Sequence, residues 1–239
     1  MSRSFMAKRL FDIKEQIMAQ DFTFTTRLAT PADVDSLTEL HCASFSPEEN
    51  VLATLGKRYV RAVHRWQVSD KKAYTFVAES EGRIIGFLSR HDGPYTRPMF
   101  MACLGEFLLS MLKNPLLVFN KALWQRLFRR AHSADDSWNR LANYPGVERG
   151  INGAVDAEFR GKGVFTALLE ASKAVAESRG TRAILGSVYK RNRAMQRAQI
   201  KAGFVMTELE TSDTVTLALF LDPTLPEELG IALPDATGE

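Results

Sequence analysis

The chain has 239 residues, 45% hydrophobic and 25% charged, with a formal net charge of +3. That balance supplies apolar surface for a buried core and excludes disorder as the main state. No apolar run reaches the ~18 residues of a spanning helix. A charge of +3 is too small to argue for nucleic acid, and the two cysteines and four histidines form neither a disulfide framework nor a metal-ligand pattern. The expectation is a cytoplasmic protein that binds no nucleic acid and no metal.

Near the N-terminus, Met6, Leu10, Ile13 and Ile17 recur at helical spacing, so residues 1–20 are read as an amphipathic helix ahead of a main domain at 21–222. Residues 22–28 alternate as a strand. Thr30 and Pro31 give an N-cap and a first helical position. A second helix is expected to start at Pro47 and carry Leu52, Leu55, Tyr59, Val63 and Trp66 on one face. Residues 73–79 and 83–90 read as a hairpin joined at Ser80, Glu81 and Gly82.

Residues 92–149 form an insertion too long for a structureless loop. Residues 99–112 are almost wholly apolar, and a second helix opening at Pro115 would group Leu116, Phe119, Leu123 and Leu127 on one side. Residues 96–131 carry a net charge of +5, more than the whole chain. The insertion reads as a basic amphipathic helical hairpin. A lid packed on the domain is one expectation. Peripheral membrane contact through 99–130 and a homodimer contact are the alternatives.

A strand at 150–156, a helix from Val164 to Gly180, a strand at 182–189 and a short helix capped by Asn192 follow, with a final hairpin at 204–209 and 214–221. The last segment, 223–239, is acidic and reads as a mobile tail. The order is not that of a doubly wound sheet. It predicts an α/β (α+β) fold with a mixed, mostly antiparallel sheet flanked by helices, in which 150–156 and 182–189 are the parallel neighbours.

Arg160-Gly161-Lys162-Gly163 lies between a strand and a helix. Two glycines, a helix N-terminus and two cations suit a phosphate or diphosphate, or simply a tight strand–helix turn. Neither nucleotide-binding glycine motif is satisfied, since Val164 and Thr166 occupy the positions that would decide them.

With Val155 ending the preceding strand and Asn192 eleven residues before Gly203-Phe204, this turn resembles that of the GNAT N-acetyltransferase superfamily over about residues 22–222. The resemblance implies direct attack of a neutral amine on an acyl-CoA thioester, with acetyl-CoA as cosubstrate and no metal. It implies that Arg160, Gly161, Lys162, Gly163, Val164 and Phe165 hold the diphosphate, that backbone amides at Ala154 and Val155 face the thioester oxygen, and that Asn192 lies beside the coenzyme. Two positions depart from the family pattern: Phe165 stands where a small residue is usual, and Gln199 where a tyrosine often protonates the leaving thiolate. Tyr189 is the substitute acid or a structural tyrosine. His91 is the candidate base or a solvated loop histidine, and Asn152 the candidate that orients the amine. The acceptor is expected to be a small-molecule amine such as an amino sugar or a lipid-linked precursor. Gln199 and Phe165 keep open a non-catalytic acyl-CoA-binding or sensing module.

Overall fold

The computed structural model describes residues 22–47, 50–128, 133–134 and 136–233. The helix expected within residues 1–20 lies outside them. Seven strands, β1 (Thr25–Leu28), β2 (Ala73–Ser80), β3 (Arg83–Asp92), β4 (Val147–Val155), β5 (Ala183–Tyr189), β6 (Val205–Glu210) and β7 (Thr214–Phe220), form one sheet of order β1-β2-β3-β4-β5-β7-β6. Its neighbours are antiparallel except β4 and β5. The hairpin at Glu81 and Gly82 has positive φ at both residues, 52° and 76°, matching the twist of the strands it joins.

Helices cover both faces. On one, α1 (Val34–Ser44), α2 (Val51–Thr54) and α3 (Lys57–Ser69) bury Leu37 and Leu40 against Val77, Phe87 and Ala154. The helix expected to run on from Pro47 is interrupted at Gly56, whose φ of 91° is outside the helical region. On the other face, α8 (Val164–Ser178) buries Leu168, Ala171 and Val175 against Phe76, Ile85, Leu88 and Ile184.

Between β3 and β4 the insertion folds as α4 (Thr96–Ala102), α5 (Leu104–Lys113), a 3-10 turn (Pro115–Phe119), α6 (Lys121–Phe128) and α7 (Asp136–Leu141). Met99, Cys103, Phe107, Leu117 and Leu123 pack on Leu55, Tyr59 and Val63. The expectation of one helix from Pro115 is corrected. Asn120 accepts from the Leu123 amide at 3.0 Å and starts α6 after the turn, so Leu117 goes inward and Leu116 and Phe119 remain outside.

The acidic tail is corrected too. After β7, α10 (Leu225–Leu229) buries Leu225, Leu229 and Ile231 against Trp138, Leu141 and Val147. Arg182 holds this segment through Asp222 at 2.7 Å and Glu228 at 2.6 Å. Residues 223–233 are therefore part of the domain. The remaining helix, α9 (Arg193–Lys201), joins β5 to β6.

Candidate active site

β4 and β5 pair only through Val147, Glu148 and Arg149 with Ala183, Ile184 and Leu185. Beyond that point β4 stays on β3 and β5 stays on β7, so a wedge opens between the two parallel strands. A bulge causes part of the divergence. Ser89 pairs with Asn152 and Arg90 with Gly150, leaving Ile151 without a partner residue. The bulge turns Ile151 and Asn152 toward the same face. Ile151 packs with the insertion, and Asn152 accepts from Gln67 of α3 at 3.2 Å.

The facing edges keep backbone groups that the sheet leaves unpaired. Asp156 donates its amide to the Ile85 carbonyl at 2.9 Å. Antiparallel alternation then turns the Val155 N–H into the wedge and the Ala154 N–H toward β3. Of the two amides expected at the thioester, Val155 has the right direction; Ala154 packs its methyl against Phe87 and Leu37.

At the open end, Gly161 and Gly163 adopt φ of 78° and 79°, the region in which a side chain is strained, and a Cβ on either would meet nothing within 4 Å. The glycines are needed for the path of the backbone, and they leave its surface clear. No side chain caps the first turn of α8, so its N–H groups and dipole face outward. Arg160 donates to the Val155 carbonyl at 3.1 Å, bracing the turn against the strand. Lys162 lies over the rings of Phe22 and Phe159 at 5.3 and 5.2 Å. Val164 is buried, and Phe165 is half-buried and packs against the same core.

Across the wedge, the Gln199 amide lies over Gly186, with Nε2 2.9 Å from the position a Cβ would take. Gln199 is buried and its Oε1 has no protein partner. Tyr189 ends β5, with Arg191 stacked over its ring at 5.1 Å. Asn192 caps α9, its Oδ1 accepting from the Met195 amide at 3.1 Å. That oxygen is committed, and the side-chain NH2 is what it can offer a ligand.

Residues that sequence reasoning missed stand on the α3 side. Gln67 is wholly buried and links Asn152 to Ser89, which in turn meets Thr75 at 2.9 Å. The relay ends at Asn152 Nδ2, buried without a partner. Its hydroxyls rotate and its amides turn over together, so Asn152 can present either a donor or an acceptor. Arg149, at the last paired position, has a buried Nε without a partner, and burial pulls its pKa below the ordinary value. The available signal was periodicity: Gln67 follows Val60 and His64 on the buried stripe of α3, where a polar residue calls for a partner.

His91 is buried and stacks on Trp66 at 5.6 Å, so it is not a solvated loop residue. Its Nδ1 donates to the Gly93 carbonyl at 3.0 Å, and its Nε2 lies 3.8 Å from Asp70 Oδ1. It sits one strand from the base of the wedge, paired with Arg149. It also lines a cleft of 860 Å³ with Asp70, Asp92 and Tyr144, which opens at the opposite end of the sheet from residues 160–165.

No protein-family model matches the chain, and no curated protein does. Solved structures do. The PaiA N-acetyltransferase of Thermoplasma acidophilum in complex with coenzyme A aligns at TM-score 0.53 and 12% identity, over 83% of this chain and 99% of its own. An acetyltransferase of the GNAT family from Desulfovibrio desulfuricans aligns at 0.54 and 12%, over 83% and 99%. The GNAT domain of PAT from S. lividans aligns at 0.51 and 16%, over 82% and 89%. The fold of this chain is the GNAT fold, and the mixed, mostly antiparallel sheet expected from the sequence is borne out.

Proposed function

We propose that the protein is an acyl-CoA-dependent N-acyltransferase, with acetyl-CoA as donor and a primary amine of a small molecule as acceptor. The observation that carries this reading is the wedge between β4 and β5, which ends at a glycine turn and an uncapped helix N-terminus. A pantetheine arm fills such a wedge as a strand would, and a diphosphate suits the amides of Gly161, Gly163, Val164 and Phe165 with Arg160 and Lys162 nearby. The coenzyme A held by the Thermoplasma structure supports the same ligand.

On this reading the Val155 amide polarises the thioester carbonyl. The amine nitrogen, oriented by Asn152, forms the C–N bond as the C–S bond breaks. The amine's proton leaves to solvent, since His91, paired with Arg149 and facing Asp70, lies too far along the sheet from Val155 to take it directly, and Tyr189 returns a proton to the thiolate. Asn192 steadies the coenzyme from the α9 side. The unpartnered Arg149 Nε favours an acceptor that carries an anionic group, as amino sugars on phosphate-linked carriers do.

Titration with acetyl-CoA is expected to raise the melting temperature, and Gly163→Asp to remove the rise by setting a carboxylate where the diphosphate belongs. Free thiol released across a panel of amines, with and without phosphate, reports transfer. No melting shift in the wild type overturns the reading. A melting shift without thiol release from any amine favours instead a non-catalytic acyl-CoA sensor, the reading that Gln199 supports.

A further inference from the structure

The inserted helices bury one side and leave the other strongly apolar. Leu112, Leu116 and Phe119 are 80%, 75% and 83% exposed, and Met101, Leu108 and Val118 are 60%, 57% and 49% exposed. Isolated exposed leucines are ordinary, but a run of this kind at one turn is not. The turn is tied down by its own hydrogen bonds. Leu117 is anchored beneath it, its amide donating to the Asn114 carbonyl at 3.0 Å. The Asn120 amide donates to the Leu117 carbonyl at 3.1 Å, and the Trp124 indole N–H donates to the Val118 carbonyl at 2.7 Å.

The charge along this stretch of sequence has one sign. Residues 107–134 contain Lys113, Lys121, Arg126, Arg129 and Arg130 and no acid. Glu106, the acid just before them, is paired with Arg58 of α3 at 3.1 Å. Lys113 and Lys121 bracket the apolar turn, and both are exposed.

We propose that this crest docks the protein onto an anionic lipid surface. Leu112, Leu116, Val118 and Phe119 enter the boundary between headgroups and acyl chains, while Lys113 and Lys121 lie against the lipid phosphates. A second copy is the weaker occupant. A two-fold interface would set the same basic patch against itself, and like charges oppose that contact. The inference rests on the insertion alone and stands apart from the acyl-transfer reading.

Co-sedimentation with vesicles tests it. The wild type is expected to pellet with vesicles of phosphatidylglycerol and phosphatidylcholine, far less with phosphatidylcholine alone, and less in high salt. Phe119→Glu and Leu112→Glu should each weaken partition about tenfold, and Lys113→Glu with Lys121→Glu should weaken it on the anionic vesicles only. These residues are exposed, so an unchanged melting temperature verifies the fold of each variant. Retention of the acetyl-CoA melting shift in them separates this inference from the proposed function. Wild-type protein that stays in solution with anionic vesicles, or crest variants that pellet as well as wild type, overturn the proposal. So does a solution dimer that Phe119→Glu converts to monomer, which assigns the crest to a second copy.

Discussion

Gln199 and Tyr189 border the same wedge with different chemistry. A carboxamide donates a hydrogen bond but gives up no proton at any useful pH, whereas a phenol can protonate a thiolate. Gln199 also packs, because its amide covers Gly186, where β5 leaves β4. Its replacement by leucine keeps that cover, so Gln199→Leu is expected to change kcat less than about threefold, while Tyr189→Phe lowers kcat about a hundredfold, the scale of a lost general acid. Steady-state kinetics with saturating acetyl-CoA measure both. A large kcat loss in Gln199→Leu and none in Tyr189→Phe would reverse the assignment.

Among the elements, α10 gives the clearest stability test. Leu225 is fully buried, with Leu229 and Ile231 nearly so, and Arg182 ties the segment to the end of the sheet through Asp222 and Glu228. Leu225→Ala is expected to cost about 2–4 kcal/mol from lost burial and the cavity left behind, measured by denaturant unfolding; a loss below about 0.5 kcal/mol, the level of ordinary surface changes, would mean that the segment is not docked in solution. In the sequence its acids and prolines hid three apolar residues, because charge density and burial are separate properties. Strands β2, β3, β5 and β7 were legible through their β-rich runs, and the glycine turn because its backbone path demands glycine. On the acceptor side only Asn152 was legible. Its neighbours Gln67 of α3 and Arg149 of β4 meet it only in the folded chain. Periodicity in the insertion identified an apolar face, but the 3-10 turn at Pro115–Phe119 breaks the helix, so Leu116 and Phe119 do not share Leu123's buried side.

At the scale of the whole molecule, His41 of α1 and His64 of α3 couple its stability to pH. Both are fully buried, with His64 Nε2 3.2 Å from His41 Nδ1, and they pack around Phe87, the strand neighbour of Ala154. His41 Nε2 and His64 Nδ1 have no partners, so a charge placed there is neither solvated nor paired. Burial accordingly lowers the His41 pKa to about 4 and the His64 pKa to about 3, against 6.5 for a free side chain. Above pH ~6.5 neither state binds these protons, and the contribution of the pair to stability is complete. As the pH falls below that value the unfolded chain takes up protons that the folded chain refuses. Stability then falls by up to about 1.4 kcal/mol per pH unit for each histidine. The decline ends near the folded-state values. Asp33, held by Arg27 at a pKa of about 2, contributes a separate loss only at lower pH. Thermal melts between pH 7 and 4.5 should show the melting temperature dropping with acid, and a His41→Phe, His64→Leu variant should show a flatter dependence whatever its stability at pH 7. Equal slopes in the two proteins would place the proton uptake elsewhere. Since α1 and α3 form the wall behind Ala154 and Asn152, acid that opens this pair also dismantles the face where the proposed acceptor would sit, so any activity should be lost over the same pH interval as the fold.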